Sequence, residues 1–149
     1  MTEKPRFCVA CGILWQGETF LAAERPASEP RGGFWEFPGG KQEPGETIHE
    51  TLMRELREEL AIECLEIQDF CTLQHTYRDI EVTLYFMQVL RFSGQPSPEL
   101  GQKLRWVTVE EARTLPFLPA DLQVLEKLVR PDSPTARQVF AESRWSSLP

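Results

Sequence analysis

Three glutamates crowd into the stretch RELREEL, where Glu55, Glu58 and Glu59 lie within five residues. On a helix that advances about 100° per residue, their side chains fall within one arc of roughly 100°. Like charges at these spacings cost a few tenths of a kcal/mol per pair unless a cation joins them. Mg²⁺ is the usual cation when the other ligands are phosphate oxygens and water. The stretch therefore predicts a phosphate-binding divalent-cation site, with a solvated charged face as the alternative.

A glycine-containing stretch, FPGGK, precedes these glutamates and predicts a turn at the end of a strand. Gly39 and Gly40 carry no side chain, so a ligand or a metal ion can approach the backbone closely there. Farther along, Arg54 is four residues from both Glu50 and Glu58, the spacing at which helical side chains meet. Arg54 is therefore expected to brace a carboxylate that holds the cation.

The helix that must carry the glutamates is predicted over residues 47–60. Its apolar residues recur every four positions and form one stripe, made of Ile48, Leu52, Leu56 and Leu60. Thr47 is the predicted N-cap, and Glu50, three residues later, completes a capping box. The stripe can pack on a sheet while the glutamates project from its border.

Most of the other predicted elements are strands. A hairpin is predicted from residues 6–15 and 18–25, around a turn at Gln16 and Gly17. Further strands are predicted over 34–37, within 64–92 and over 103–109, with an interior strand in EVTLYFMQVLRF, and helices over 109–115 and 119–129. The sum is one α/β (α+β) domain, with a mixed sheet and helices on either side of it.

Length and charge bound the function. A chain of 149 residues is the size of one domain, and its net charge of −7 disfavours binding to a nucleic-acid polymer. No apolar run is long enough to span a membrane, and the start lacks a signal-peptide core, which predicts a cytoplasmic protein. Cys8 and Cys11 have the spacing of half a zinc site, but no second such pair exists, so four reduced thiols are expected.

The glutamate helix and its flanks resemble the Nudix box, GX5EX7REUXEEXGU, in which U is a bulky aliphatic residue. Gly40, Glu46 and the run from Arg54 to Ile62 match every defined position except one, where Ala61 replaces a glycine. That glycine follows the C-terminal end of a helix, where a left-handed backbone is common. Ala61 therefore places the helix end in question more than the chemistry.

The resemblance extends over most of the chain and is greatest to the MutT-like branch of the family. Within that branch, the chain is most similar to bacterial 8-oxo-dGTP diphosphatases and CTP pyrophosphohydrolases. It implies a Nudix domain over residues 1–130, with the Nudix fold, an α/β/α sandwich around a mixed sheet. Residues 131–149 are expected to form a C-terminal tail that is partly helical and docked.

The resemblance also implies residue roles in Mg²⁺- or Mn²⁺-dependent hydrolysis. The implied metal ligands are the Gly39 carbonyl and the carboxylates of Glu55, Glu58 and Glu59, with Glu55 as the residue that takes the proton of water. Glu46 and Arg54 are implied to orient the helix and its carboxylates. Glu99, in a loop, is either a further metal-binding glutamate or an ordinary solvated residue.

Substrate contacts are expected outside the box. Arg25 and Lys41 are either cations for the phosphates or surface residues. Asp121 is either a residue that reads the base or the N-cap of the last helix. Three aromatic residues are candidates to stack on a base, with core packing as the more common role for each: Trp35, Tyr77 and Phe117.

The expected activity is hydrolysis of a small-molecule nucleoside triphosphate to the monophosphate and pyrophosphate, as in the removal of oxidised nucleotides such as 8-oxo-dGTP. A CTP or dCTP pyrophosphohydrolase is the alternative within the family. A non-catalytic module that binds a nucleotide or a partner is the alternative from another class. No nucleic-acid polymer or membrane is expected as a partner, and both a monomer and a homodimer fit the sequence.

Overall fold

Seven strands and three helices form within residues 4–128, the part of the chain that this computed structural model describes. The strands are β1 (Arg6–Gln16), β2 (Thr19–Glu24), β3 (Trp35–Glu36), β4 (Gly39–Lys41), β5 (Glu63–Thr76), β6 (Glu81–Ser93) and β7 (Lys103–Val107). The helices are α1 (Ile48–Leu60), α2 (Val109–Ala112) and α3 (Pro119–Leu125). The predicted C-terminal tail lies outside the described residues.

The strands form a mixed sheet, as predicted. Its order is β3-β2-β1-β6-β5, with β4 paired to β1 and β7 paired to β2. The pairing of β1 with β6 is parallel and places Val9 opposite Leu84, while the other strand pairings are antiparallel. The predicted β1–β2 hairpin forms, and β6 is the interior strand that its apolar character indicated.

Two apolar clusters cover opposite faces of the sheet, because successive side chains of a strand point to opposite sides. Ala10 and Leu14 of β1 pack in one cluster with Leu52, Leu56 and Leu60 of α1. Cys11, Ile13 and Trp15 of β1 point to the other side. They pack in the second cluster with Ala112 of α2 and with Val124 and Leu125 of α3. The result is the expected α/β/α sandwich.

Helix α1 begins with the predicted capping box. The Glu50 N–H donates to Thr47 Oγ1 at 3.1 Å, and the Thr47 N–H donates to Glu50 Oε1 at 2.8 Å. The helix ends at Leu60, where Ala61 takes the left-handed conformation (φ 58°, ψ 39°) and donates its N–H to the Arg57 carbonyl at 3.0 Å. The alanine therefore adopts the backbone for which the family pattern has a glycine.

The predicted glycine turn is instead strand β4, and the turn prediction was wrong. Gly39 and Gly40 lie opposite Cys11 and Ala10 of β1, at the centre of the sheet. A side chain at Gly39 would place its Cβ 1.8 Å from the Ala10 carbonyl oxygen, so only glycine allows this approach. Two consecutive glycines indicate a turn by local propensity, and the pairing with β1 overrides that propensity here.

Among residues 4–128, no helix is long and apolar enough to cross a membrane. All four cysteines lie in this part of the chain and are unpaired.

Candidate active site

Glycines in β1 and β4 set how closely α1 lies against the sheet. A Cβ at Gly12 would lie 3.1 Å from Leu52 Cδ1 and 3.2 Å from Leu56 Cδ1, so the helix packs directly on the strand backbone. A Cβ at Gly40 would lie 2.3 Å from the Glu55 carboxyl carbon. Gly40 therefore makes the room in which the Glu55 carboxylate rests against β4.

Arg54 holds Glu46 in a bidentate ion pair. Arg54 Nε lies 2.5 Å from Glu46 Oε2, and Nη2 donates to Glu46 Oε1 at 3.1 Å and to the Lys41 carbonyl at 3.0 Å. The Glu43 N–H and the Thr51 hydroxyl complete the shell of Glu46. These hydrogen bonds, that of Arg54 first, lower the pKa of Glu46 to about 2. Glu46 is thus a permanent anion that ties the segment before α1 to the middle of the helix.

Arg54 also contacts two of the three clustered glutamates. Its Nη1 donates to Glu55 Oε1 at 2.9 Å and to Glu58 Oε2 at 3.3 Å. Glu55 is 16% exposed, whereas Glu58 is 58% exposed and free to reorient. Because both carboxylates turn toward Arg54, no three acidic, histidine or cysteine side chains within residues 4–128 converge as a ready-made metal site.

Glu59 lies at the inner end of the cluster, beside β4. Its Oε2 accepts a hydrogen bond from the Gly39 N–H at 3.2 Å. Burial first, and then the charges of Glu55 and Glu36, raise the pKa of Glu59 to about 8. A carboxylate whose charge is disfavoured in this way gains the most from a bound cation.

Glu99 is brought to the C-terminal end of α1 by backbone hydrogen bonds. Its N–H donates to the Glu59 carbonyl at 3.1 Å, and the Ser97 N–H donates to the Leu60 carbonyl at 3.0 Å. The Glu99 carboxylate is exposed and accepts a hydrogen bond from the Ser97 hydroxyl at 2.7 Å. The loop thus satisfies carbonyls at the helix end and adds a fourth acid next to the cluster.

Asp121 does not cap the last helix. The N-cap of α3 is Leu118, and Asp121 lies in the first turn, where it is 4% exposed and its Oδ2 accepts a hydrogen bond from the Phe37 N–H at 3.2 Å. Burial, and then the charge of Glu36, raises the pKa of Asp121 to about 8. Asp121 is therefore a buried carboxyl group, next to a second acid, with one hydrogen bond from the residues that the structure describes.

Glu36 is the residue of this region that the sequence did not single out. It lies in β3 and accepts hydrogen bonds from Arg25 Nη1 at 3.1 and 3.3 Å. Burial raises the pKa of Glu36, while Arg25 lowers it. Its charge raises the pKa of both Glu59 and Asp121, and it directly precedes Phe37, whose N–H donates to Asp121. The available signal was an acid between two core aromatics in FWEF.

The other predicted substrate-binding residues differ in burial: some lie in the core and others lie at the surface. Trp35 and Phe117 are core residues, 8% and 2% exposed, so their rings pack in the protein as the more common alternative predicted. Lys41 is exposed and holds its Nζ 4.1 Å above the Phe7 ring. Arg25 is engaged with Glu36, and Tyr77 is partly buried at the edge of the same core cluster.

Comparison with known proteins gives one consistent result. Residues 9–127 match the family model described as NUDIX domain. A CTP pyrophosphohydrolase of Escherichia coli (strain K12) is 37% identical over 118 residues, which cover 79% of this chain and 87% of that protein. An 8-oxo-dGTP diphosphatase of the same strain is 33% identical over 123 residues, which cover 82% and 95%.

The solution structure of the E. coli ORF135 protein superposes with a TM-score of 0.76 at 32% identity, covering 97% of this chain and 96% of that one. The chain belongs to the Nudix family. Within the family it is a hydrolase of the MutT-like type.

Proposed function

We propose that the protein hydrolyses nucleoside triphosphates to the monophosphate and pyrophosphate, with a divalent cation. The observation that carries this proposal is that residues 37–39 donate a backbone hydrogen bond to Asp121 at one end and to Glu59 of α1 at the other. An acidic, cation-demanding cluster therefore lies at one end of this segment and a buried hydrogen-bonding carboxyl lies at the other. A nucleoside triphosphate needs both kinds of contact, because its phosphates are anionic and its base is flat and polar at the edge.

The residues present fit a divalent cation. Arg54 is one positive charge paired with four carboxylates, and Glu59 adds a fifth that has no ion pair with any residue from 4 to 128: Glu43, Glu46, Glu55, Glu58 and Glu59. The ligands proposed for the cation are Glu55, Glu58, Glu59 and the Gly39 carbonyl, with Glu99 as a further carboxylate. A bound Mg²⁺ or Mn²⁺ would neutralise phosphate oxygens and make a water molecule more acidic.

The residues of α1 and Glu46 are proposed to have different roles in the reaction. Glu55 rests against Gly40 with a fixed orientation, and we assign it the proton of the attacking water. Arg54 and Glu46 do not touch the phosphates; they hold α1 and Glu55 in place through the hydrogen bonds described above. Glu58 is the most exposed of the three glutamates and can turn from Arg54 toward a cation.

Asp121 and Glu36 are proposed to read the base. A carboxyl with a pKa of about 8 is largely protonated at neutral pH, so Asp121 both donates and accepts hydrogen bonds. Oxidised guanine presents donors and acceptors together on its edge, which suits this form. We therefore favour oxidised or otherwise unwanted nucleotides such as 8-oxo-dGTP as the substrates.

A CTP or dCTP activity is the second candidate. The similarity of 37% to a CTP pyrophosphohydrolase favours it, and the amino group of cytosine suits an ionised carboxylate such as Glu36. Both candidates use the same cluster on α1 and differ only at the Asp121 end of the site.

Pyrophosphate release from 8-oxo-dGTP, dGTP, CTP, dCTP and 5-substituted dCTPs, with Mg²⁺, Mn²⁺ or EDTA, tests the proposal. Glu58→Gln is expected to lower kcat by at least about 100-fold with little change in stability, because its carboxylate is exposed. Glu18→Gln, an exposed glutamate in the β1–β2 turn, is the matched control. Nucleotide binding without hydrolysis by the wild-type protein would refute the enzyme and leave the non-catalytic module.

A further inference from the structure

Residues 25–34 form a closed loop, here called the Arg25 loop, that borders the Asp121 end of the site. The Arg25 N–H donates to the Phe34 carbonyl at 2.8 Å, and the Gly33 N–H donates to the Arg25 carbonyl at 2.9 Å. The Arg25 side chain fixes the start of the loop by donating to the Pro30 carbonyl at 2.9 Å and to Glu36. The start of the loop is therefore anchored to Glu36 of β3.

Arg31 connects this loop to the turn between β5 and β6. Its guanidinium carbon lies 4.0 Å from the centroid of the Tyr77 ring, and its Nη2 lies 3.8 Å from Asp79 Oδ1. This distance is well within the range of a cation–π interaction. The Arg31 side chain is 30% exposed, so the guanidinium covers one face of the ring and is partly shielded from water.

The backbone of Arg31 is in the left-handed region, with φ at 61°. This conformation costs a non-glycine residue roughly 1 kcal/mol or more, and it persists only where the surroundings compensate for the cost. Two glycines, Gly32 and Gly33, follow directly, yet the left-handed position carries a long cationic side chain. The Arg31 side chain contacts Tyr77 and Asp79, and the Phe34 N–H donates to the Arg31 carbonyl at 3.3 Å, so these interactions accompany the strained backbone.

Tyr77 lies close to the base end of the proposed site. It packs at the edge of the apolar cluster that contains Trp35, Phe37 and Phe117. Burial raises the pKa of the Tyr77 hydroxyl, and the charges of Arg31 and Asp121 act on it in opposite directions. One face of the Tyr77 ring is thus covered by Arg31, and the His75 ring lies against it with the ring centroids 4.4 Å apart. Phe37 of the same apolar cluster donates its N–H to Asp121, which places Tyr77 and Asp121 around one cluster.

We propose that Arg31 is a positioning residue for base recognition: it holds the Tyr77 ring as a wall of the nucleobase slot beside Asp121, without touching the substrate itself. This inference rests on the proposed function, since it assumes that a nucleotide base enters next to Asp121. It assigns to the Arg25 loop a part in choosing the base, separate from the phosphate chemistry of α1.

The test compares two competitive inhibitors that both carry phosphate, of which only one carries a base. The first is the nucleoside monophosphate of the preferred substrate, and the second is inorganic triphosphate. Arg31→Ala is expected to raise the inhibition constant of the monophosphate about fivefold, the size of a partly shielded cation–π contact. The inhibition constant of inorganic triphosphate is expected to stay within twofold, and KM to rise more than kcat falls.

Three further variants separate positioning from other roles. Arg31→Lys retains a cation for the ring and is expected to restore most of the affinity for the monophosphate. Arg31→Gly removes the side chain but also the backbone strain, so it is expected to weaken monophosphate binding without lowering the melting temperature. With Tyr77→Leu in the background, Arg31→Ala is expected to have no further effect on affinity for the monophosphate.

Loss of inorganic triphosphate affinity in Arg31→Ala would overturn the inference, because Arg31 would then be a phosphate ligand. An equal effect of Arg31→Ala with and without Tyr77 would also overturn it. If every Arg31 variant binds and discriminates bases like the wild-type enzyme, the inference is wrong while the proposed function stands. If the wild-type protein hydrolyses no nucleotide, the proposed function itself fails.

Discussion

Single carboxyl groups in this protein differ in pKa according to what surrounds them. Glu46 has a pKa of about 2 because Arg54 and the backbone donate to it, whereas Glu59 and Asp121 have pKa values of about 8 because they are buried among other acids. The first is a structural anion at any physiological pH. The other two are poised to change their protonation when a cation or a base arrives, which is typical of functional groups.

Replacement of Asp121 by asparagine should change how stability depends on pH. The pKa of Asp121 is about 8 when folded and about 4 when unfolded, so between those values the folded protein binds a proton that the unfolded chain does not. The free energy of unfolding therefore falls as pH rises from about 4 to about 8. Urea titrations across this range should show a shallower fall in Asp121→Asn.

Part of the decrease in the free energy of unfolding with rising pH should remain in Asp121→Asn, because the pKa values of Glu36 and Glu59 are also raised. An unchanged slope in Asp121→Asn would contradict the buried, protonated state of this residue.

Gly40 is expected to be needed for turnover rather than for folding. Gly40→Ala would place a Cβ 2.3 Å from the Glu55 carboxyl carbon, which forces the Glu55 carboxylate away from β4. We expect kcat to fall at least about tenfold, since a displaced proton acceptor loses its alignment. Gly17→Ala, in an exposed turn with φ at 62°, is expected to cost stability but not turnover, and it is the control for a destabilising glycine substitution remote from the site. Full activity of Gly40→Ala would remove Glu55 from its assigned role.

At the scale of elements, α1 is the part of the molecule that the sequence predicted best. Its apolar stripe and its capping box depend on residues three and four apart, so both can be recognised locally. The question about Ala61 is resolved by its left-handed backbone, which ends the helix at Leu60. The exposed ion pair of Arg57 with Glu63, at 2.6 Å, spans this residue.

Ala61→Gly should stabilise the protein. Glycine adopts the left-handed conformation without the steric cost that alanine bears, although it also gains freedom in the unfolded chain. We expect the free energy of unfolding to rise by about 0.5–1 kcal/mol, measured by urea denaturation. Ala27→Gly, in an exposed turn without a positive φ, should lower it by a similar amount. A loss of stability in Ala61→Gly would mean that the cap conformation is not the limiting cost.

Elements and site residues that depend on distant pairing were harder to predict. Strand β4 has three residues, two of them glycines, and becomes a strand only because β1 lies beside it. The role of Glu36 could not be predicted locally, because it depends on α3, which brings Asp121 next to Phe37 across 84 residues of chain. The last helix is a further example. Asp121 lies near its start and has the residue type of an N-cap, but in the structure Leu118 is the N-cap and Asp121 is buried.

At the scale of the whole molecule, the net charge of −7 and the surplus of acids around Arg54 link stability to cations. A ligand that binds only the folded state stabilises it, by about 2.7 kcal/mol at 100 times its Kd. Mg²⁺ or Mn²⁺ should therefore raise the melting temperature, and EDTA should reverse the change. Calorimetric scans with and without metal provide the measurement.

Glu59→Gln should lose most of this metal-dependent shift, while Glu18→Gln should keep it. Because the charge of Glu59 is disfavoured in the metal-free protein, Glu59→Gln should also be the more stable of the two when EDTA is present. An equal metal response in both variants would place the cation elsewhere.

The absence of a side chain at Gly12 has a consequence beyond packing. Gly12 fixes the separation between β1 and α1, and the clustered glutamates are carried on α1 as one rigid row. To accept a methyl group at this position, the ends of the Leu52 and Leu56 side chains would have to move by a few tenths of an ångström. A substitution in β1, outside the motif, can therefore disturb the packing of the helix that carries the glutamates while every motif residue is still present.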